Sequence, residues 1–321
     1  MRRIATYNIK AILEGGLSLL PGCGRFFRKR TGGTDSARYC YAVWLRHLVM
    51  TQRFRKSAGG CLGTVVELGP GDSLGTGLAA LLCGASRYIA VDVIRHANAY
   101  QNVKVFENLV SLFADRASLP SDKEFSEVKP LMDDLSFPSS VLGDGSMEKN
   151  LHPKRLQTIA DGLRGTSRGS PLFQYVDPVA ALSVVPSGTV DMVFSQAALE
   201  HVEDLEALYQ TCRAWLKPGG LMSHQIDLRS HGTSREWNGH WVYPDRVWRL
   251  IRGKRPYLLN REPCSTHLRL LTENGFQIAV EKRYPLSSRL HRSQLAPRFR
   301  KMPEQDLSTA GLYVVAQKIK T

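Results

Sequence analysis

The segment at residues 64–77, TVVELGPGDSLGTG, constrains the fold of this chain more than any other. Its apolar start is typical of a short buried strand, and its glycine-containing middle is typical of a tight turn. The apolar residues 78–82 then predict a helix. Glycine at positions 69 and 71 lets the backbone approach a ligand closely, because any side chain there would obstruct it. The segment therefore predicts a strand, a ligand-binding turn and a helix, which is how an α/β fold with a parallel sheet begins.

Residues 88–92, YIAVD, predict a second strand that ends at Asp92, 21 residues after Gly71. A carboxylate at this position can accept hydrogen bonds from the hydroxyl groups of a ribose. The turn differs from the dinucleotide-binding fingerprint, because Leu74 stands where that pattern has its third glycine. A nicotinamide cofactor is therefore disfavoured.

Five further strands are predicted downstream, and helical patterns separate them. The predicted strands are residues 173–176, 189–194, 221–227, 276–281 and 312–317. About seventy residues, 95–169, separate the second strand from the third, which is far longer than the usual connection in an α/β unit. This segment is predicted to be an insertion with helices near 103–113 and 151–163. It either caps the substrate or extends the edge of the sheet.

The charge of the chain is uneven. The net charge is +14; residues 1–56 carry twelve Lys and Arg against two acids, and residues 246–301 carry fourteen against three, while the middle is acidic. Basic flanks favour an anionic partner, which could be nucleic acid, a membrane surface or a phosphorylated lipid-linked substrate. A basic surface that only faces water remains an alternative.

We divide the chain at residue 58, with a basic arm and a capping helix before it and the catalytic domain at 59–321. The cluster at residues 25–30, RFFRKR, and the short apolar runs before it could contact an anionic membrane, although a loosely packed arm explains them equally well. Residues 34–54 predict a helix that packs over the core. The six cysteines show no Cys-x-x-Cys pair, and no apolar segment is long enough to cross a bilayer. We therefore expect a cytoplasmic protein, with peripheral contact at the inner membrane face as a possibility.

The predicted parallel strands bring polar residues to one edge of the sheet. Asp92, Asp177 and Ser195 each stand at or near a strand end, and ligands bind at the carboxyl edge of parallel sheets. Asp177 could accept a hydrogen bond from an adenine amino group. It could equally cap the helix that follows, because aspartate is common at that position.

Four segments resemble, in order, the motifs of class I S-adenosylmethionine-dependent methyltransferases. They are residues 66–73 (VELGPGDS), 91–92 (VD), 190–202 (VDMVFSQAALEHV) and 215–220 (WLKPGG). The resemblance implies a Rossmann-like, mostly parallel seven-stranded sheet with an antiparallel last strand and helices on both faces. It also implies S-adenosylmethionine as cofactor and S-adenosylhomocysteine as product. The implied cofactor contacts are Glu67, Leu68, Gly69, Pro70, Gly71, Asp92, Val93, Asp177, Ser195 and Gln196.

The carboxyl half also resembles methyltransferases encoded among bacterial surface-polysaccharide genes. That resemblance rests on residues 224–228 (HQIDL), His231, Trp237, Asn238 and Trp241. It implies a hydroxyl group of a glycan or lipid-linked glycan as the methyl acceptor. An RNA methyltransferase is the alternative that the basic flanks suggest, but no RNA-binding module is recognisable and a nucleic-acid partner is disfavoured. Another small molecule could also be the acceptor.

Methyl transfer to a hydroxyl group requires a base, and histidine is suited to proton transfer near neutral pH. His201 and His231 follow predicted strands and His224 lies within one, and His231 with Asp227 is the preferred pair. Buried or capping roles would explain His201 and His224 equally well. Glu200 and Asp227 could instead bind a metal with the histidines, but their spacing matches no metal motif, and no metal is predicted. Trp237, Trp241 and Tyr243 could contact a sugar face or lie in the core.

Overall fold

The computed structural model describes residues 7–20, 33–55, 62–165, 172–255 and 258–320. Seven strands form one sheet: β1 (Thr64–Leu68), β2 (Arg87–Val91), β3 (Phe173–Val176), β4 (Val190–Gln196), β5 (Leu216–Asp227), β6 (Phe276–Pro285) and β7 (Thr309–Lys318). Their order is β3-β2-β1-β4-β5-β7-β6. Strands β1 to β5 pair in parallel, and β7 runs antiparallel to both of its neighbours. The predicted Rossmann-like sheet with an antiparallel last strand is confirmed.

Helices cover both faces of the sheet. They are α1 (Ile9–Leu17), α2 (Ala37–Thr51), α3 (Gly75–Leu82), α4 (Ala99–Ala114), α5 (Asp144–Asn150), α6 (Pro153–Arg164), α7 (Pro178–Val184), α8 (Leu205–Trp215), α9 (Asp245–Arg252), α10 (Cys264–Glu273) and α11 (Glu304–Ser308). One apolar core joins the sheet to α2 through α6. A second core joins the opposite face to α7, α8 and α10. The central strands are apolar on both sides because both of their faces are buried.

Several elements differ in extent from the segments that predicted them. The helix expected at residues 34–54 begins at Ala37, because the Ser36 side chain caps it by accepting a hydrogen bond from the backbone N–H of Tyr39. Strand β5 begins directly after α8, and β6 and β7 pair as far as Pro285 and Thr309. The length of these strands is set by their pairing with neighbouring strands. The apolar pattern of a single strand does not reveal that pairing.

The long connection between β2 and β3 begins with an ordinary crossover helix. Helix α4 packs against α2 and α3, so the additional segment within the predicted insertion begins near residue 115. The buried guanidinium of Arg46 in α2 holds this segment by donating to the backbone oxygens of Pro120 (2.7 Å) and Pro130 (3.1 Å). Tyr41 Oη donates to the backbone oxygen of Ala117 at 2.5 Å. The segment is thus attached to α2 along its length.

The amino-terminal helix α1 packs against α9 from the other end of the chain. A Cβ atom on Gly15 would lie 2.1 Å from the backbone oxygen of Leu250, so only glycine permits this approach. The basic cluster at residues 25–30 lies outside the described residues. Among the helices that the structure describes, none is both long and apolar enough to span a bilayer.

Candidate active site

The turn after β1 forms a backbone cradle at the carboxyl edge of the sheet. Gly69 and Gly71 have φ of 71° and 75°, which favour glycine. The Gly69 N–H donates to the backbone oxygen of Val91 at 2.9 Å. A Cβ atom on Gly69 would lie 2.8 Å from that of Ala198, in the loop after β4. Glycine at 69 is therefore required for the turn to lie between the ends of β2 and β4.

Residues preceding α2 fix the second half of this turn. The Asp72 N–H donates to Thr34 Oγ1 at 2.8 Å, and Ser73 Oγ donates to the backbone oxygen of Thr34. Ser73 Oγ also accepts from the Gly75 N–H at 3.0 Å, at the start of α3. A serine hydroxyl thus holds the turn between its second glycine, Gly71, and the start of α3. Residues 33–36 cover one side of the cradle.

Asp92 lies directly beside the cradle, after the last residue of β2. Its Oδ1 accepts from the Ile94 N–H at 3.3 Å, and the Gly71 N–H also interacts with the carboxylate. Burial raises the pKa of Asp92, and these backbone donors partly oppose the shift. Val93 is 65% exposed, so an apolar side chain faces solvent next to this carboxylate. A partly buried carboxylate thus lies beside an exposed apolar side chain, next to the cradle.

Glu67 occupies a different place from the one its motif position suggests. Its side chain is buried beneath α3, where it accepts a hydrogen bond from Tyr88 Oη at 2.5 Å. Burial raises the pKa of Glu67 to about 8, although bonds from Tyr88 and Thr76 oppose the shift. The carboxyl group therefore links the strands below the turn to α3 and does not reach the edge of the sheet.

Asp177 and Ser195 are both occupied by protein contacts. Asp177 Oδ1 accepts from the N–H groups of Val179 and Ala180, each at 2.9 Å, and so caps α7. Ser195 is fully buried, and its Oγ lies 2.8 Å from His224 Nδ1 on the neighbouring strand. The side chain of Ser195 therefore points into the core beneath α8 and α10, away from the cradle.

His224 has the environment of a buried structural histidine. It is fully buried on β5, and burial lowers its pKa to about 3. Nε2 has no hydrogen-bond partner among the described atoms. The His224 ring is therefore closed off from the edge of the sheet and stays neutral. This environment is unsuited to proton exchange with a substrate.

Asp227 and His231 meet at the carboxyl end of β5. His231 Nε2 lies 3.1 Å from Asp227 Oδ2, and Arg229 donates to both carboxylate oxygens at 2.8 Å and 2.6 Å. Burial alone would raise the pKa of Asp227, but the bonds from His231 and Arg229 outweigh it and hold the pKa well below its usual range. His231 adopts φ of 46°, which a non-glycine residue rarely does, and its side chain is 29% exposed. A permanently ionised carboxylate thus orients a partly exposed imidazole.

Glu200 and His201 lie in the loop after β4, close to this pair. The rings of His201 and His231 are 5.2 Å apart between centroids. Both carboxyl oxygens of Glu200 are buried without a hydrogen-bond partner among the described atoms, and they line a small cavity with Asp227 and His240. Burial, followed by the charge of Asp227, raises the pKa of Glu200 well above its ordinary value. The pKa values of these two neighbouring carboxyl groups are therefore shifted in opposite directions, that of Glu200 upward and that of Asp227 downward.

The additional segment of the insertion, which begins near residue 115, contacts the carboxyl edge of the sheet through Gln225 of β5. The Oε1 of Gln225 accepts from the Lys129 N–H at 2.6 Å, and its Nε2 donates to the backbone oxygen of Glu127 at 2.9 Å. Gln196 Nε2 also donates to Gln225 Oε1. Part of the insertion therefore covers the ends of β4 and β5.

Sequence reasoning missed Arg229 and Gln225. The Asp-x-Arg-x-His spacing after a strand was the available signal for Arg229. For Gln225 the sequence contains no comparable signal, because its partners are backbone groups about a hundred residues away.

The aromatic candidates belong mostly to the core. Trp241 is fully buried and Tyr243 is 2% exposed, so neither can present a face to a sugar. Trp237 is more accessible, and its Nε1 donates to the backbone oxygen of Ser287 at 2.9 Å. Of the three, Trp237 alone remains available for contact with a ligand.

A family model described as a methyltransferase domain matches residues 158–223. No curated protein matches the chain. Solved structures that resemble it include an S-adenosylmethionine-dependent methyltransferase from Mesorhizobium loti, with 15% identity, 89% of this chain and 100% of that chain covered, and a TM-score of 0.39. Another is phosphoethanolamine N-methyltransferase 2 of Haemonchus contortus in complex with S-adenosylmethionine, with 15% identity, 92% and 60% coverage, and a TM-score of 0.42. These likenesses are too distant to carry an argument about activity or acceptor.

The matched domain, the strand order and the cradle beside Asp92 define the class of protein. The chain has the class I methyltransferase fold and is an S-adenosylmethionine-dependent methyltransferase. The cradle fits the cofactor, because the turn requires glycine at 69 and places Asp92 beside it for a ribose. Within the described ranges, no group of three or more His, Cys, Asp or Glu side chains could hold a metal ion.

Proposed function

We propose that this enzyme methylates a sugar hydroxyl group on a glycan or lipid-linked glycan. The observation that supports this proposal is the Asp227 and His231 pair at the carboxyl end of β5. A hydroxyl group must lose its proton to become a good nucleophile, and a carboxylate-oriented imidazole is suited to accept it. The polysaccharide-gene resemblance of residues 224–241 supports a sugar as the source of that hydroxyl.

The cofactor would lie over the ends of β1 and β2. The backbone of Gly69 to Gly71 would approach it closely, and Asp92 would accept hydrogen bonds from the ribose hydroxyl groups. Val93 would contact a face of the adenine, while Asp177 continues to cap α7. Glu67 would act indirectly by holding the turn against α3. When bound, S-adenosylmethionine supplies an electrophilic methyl group and becomes S-adenosylhomocysteine.

The acceptor would lie over β4 and β5, next to the cofactor. Asp227 lies two strands from Gly69, which is roughly 10 Å at normal strand spacing. With Nε2–H directed at Asp227, His231 has Nδ1 available to take the acceptor proton. Arg229 keeps Asp227 ionised, so the carboxylate can stabilise the imidazolium that forms. Gln196 and the tethered insertion would form one wall of the acceptor site.

Replacement of Asp227 and His231, which we call the dyad, tests this mechanism. We expect His231→Ala and Asp227→Asn to lower kcat on the acceptor by about 10²- to 10⁴-fold, the usual range for a lost general base. The dissociation constant for S-adenosylmethionine should stay unchanged, because neither residue contributes to the cradle. Turnover would be measured with radiolabelled cofactor against a panel of glycans and lipid-linked glycans, and binding by calorimetry.

The matched control is His291→Ala, which removes an exposed histidine far along the chain from the dyad. It should leave kcat unaffected. Full activity in both dyad variants would reject His231 as the base. Methylation of mixed RNA at physiological salt, with no glycan product, would instead favour the nucleic-acid alternative.

A further inference from the structure

Helix α1 and the turn after it present most of their large aliphatic side chains to solvent. Ile9, Leu13 and Leu17 of the helix and Leu20 of the turn follow one another at helical spacing and are between 52% and 70% exposed. Leu250 on α9, which is 42% exposed, adds to the same surface, because a Cβ atom on Gly16 would lie 3.9 Å from its Cδ1. We call these five residues the α1 apolar face. A helix on a water-soluble surface normally has the opposite arrangement.

The inward side of α1 consists of small residues together with the partly buried Ile12. Ala11, Gly15 and Ser18 are buried against α9 and its following turn. The Lys254 N–H donates to Ser18 Oγ at 2.9 Å, and Arg255 Nη1 contacts Glu14 Oε2 at 3.0 Å. These contacts fix the rotation of the helix about its axis. The aliphatic residues are therefore held outward by packing.

Basic side chains surround the α1 apolar face. Lys10, Arg246, Arg249 and Lys254 are all exposed. The nearby acids are already paired: Glu14 with Arg255 and, at 3.9 Å, with Lys10, Asp245 with Arg261, and Glu203 with Arg252. The result is an aliphatic surface with excess positive charge around it, which matches the acyl and phosphate layers of an anionic bilayer. A second copy of the chain would bring like charges together across a two-fold axis.

The α1 apolar face adjoins the loop that carries His231. Asn8 Nδ2 donates to the backbone oxygen of Gly232 at 3.1 Å. The Asn8 N–H donates to Tyr243 Oη at 3.0 Å, and that hydroxyl donates to the backbone oxygen of Thr233 at 2.8 Å. A surface that binds α1 would consequently lie beside the proposed acceptor site.

We infer that the α1 apolar face docks the enzyme on an anionic membrane surface. The aliphatic side chains enter the interface between head groups and acyl chains, and the surrounding Lys and Arg side chains contact lipid phosphates. The acceptor is then a lipid-linked molecule held at that surface. This consequence for the acceptor rests on the proposed function, whereas the membrane contact does not.

Vesicle flotation of the full chain tests the inference. The wild type should float with vesicles of phosphatidylglycerol and phosphatidylcholine, and much less with phosphatidylcholine alone or at high salt. Leu13→Ser with Leu17→Ser should lower the partition coefficient at least about tenfold, because two aliphatic side chains leave the interface. Arg246→Gln with Arg249→Gln should weaken binding to the anionic vesicles only.

The matched control is Val179→Ser with Leu182→Ser, which removes two exposed aliphatic residues from α7 and should float like the wild type. Thermal melting by circular dichroism would establish that every variant is folded. A wild type that stays with the unbound fraction would overturn the inference, and so would equal flotation of the α1 double variant. A dimer in sedimentation velocity that Leu13→Ser with Leu17→Ser dissociates would assign the face to a second copy, and would overturn it too. Flotation needs neither cofactor nor acceptor, so its failure is distinguishable from failure of the proposed methyl transfer.

Discussion

At the scale of single residues, we predict that Asp92 is the side chain on which cofactor binding most depends. It stands at the strand end beside the cradle, where burial raises its pKa and the backbone N–H groups of Ile94 and Gly71 partly oppose that shift by stabilising the ionised form. We expect Asp92→Ala to weaken S-adenosylmethionine binding by about 1–3 kcal/mol, because the ribose hydroxyl groups lose a buried acceptor. Isothermal titration calorimetry measures the change.

The control for this prediction is Asp133→Ala, the same replacement at an exposed position of the insertion. Its cofactor affinity should equal that of the wild type. Equal affinities for the wild type and Asp92→Ala would show that the ribose lies elsewhere.

At the scale of elements, the insertion is attached to the sheet edge at few points. Gln225 satisfies the backbone groups of Lys129 and Glu127, so Gln225→Leu leaves both without their present partner. We expect this segment to open, which should raise KM for the acceptor and speed proteolysis within residues 115–142. Cofactor affinity should be preserved, because the cradle lies over β1 and β2. Steady-state kinetics and limited proteolysis followed by mass spectrometry provide the readouts.

Gln277→Leu is the matched replacement at an exposed position on β6, and it should change neither readout. Proteolysis and KM that stay at wild-type values in Gln225→Leu would mean that the insertion is held by α2 alone, through Arg46 and Tyr41.

At the scale of the whole molecule, buried ionisable groups set the pH range of stability. Burial lowers the pKa of His47, His224 and His240 to about 3 and that of His267 to about 4. The unfolded chain binds protons at these positions below pH 6.5 and the folded chain does not, so the free energy of unfolding falls as the pH drops from 6.5. Glu67 acts oppositely, because its raised pKa of about 8 makes the folded chain bind the extra proton between pH 4.5 and 8. Glu200 shifts in the same direction as Glu67.

Asp92 also has a raised pKa. Because four histidines outweigh three carboxyl groups, we expect a stability maximum near pH 6.5 with a decline on either side. Each group contributes a slope of at most about 1.4 kcal/mol per pH unit. Urea denaturation between pH 5 and pH 8.5 measures the profile. Glu67→Gln should flatten the alkaline side, whereas the exposed replacement Glu148→Gln should leave it unchanged. An alkaline decline that persists in Glu67→Gln would assign it to other groups.

The amino-acid sequence by itself determined the sheet, the cradle and the acid beside it. These features depend on neighbouring residues: apolar runs make strands, glycines at 69 and 71 permit the turn, and Asp92 ends the next strand. The pairing of Asp227 with His231 was also predicted, since His231 stands only four positions after Asp227.

Only the tertiary structure decided which side chains face the core and which face the edge. Ser195 and His224 lie on strand faces that turn inward, and Glu67 points beneath α3, although their motif positions suggested contact with ligands. The tether between Gln225 and the insertion and the docking of α1 on α9 join residues far apart in the chain. Their physical basis is packing between distant elements, which no local pattern of residues specifies.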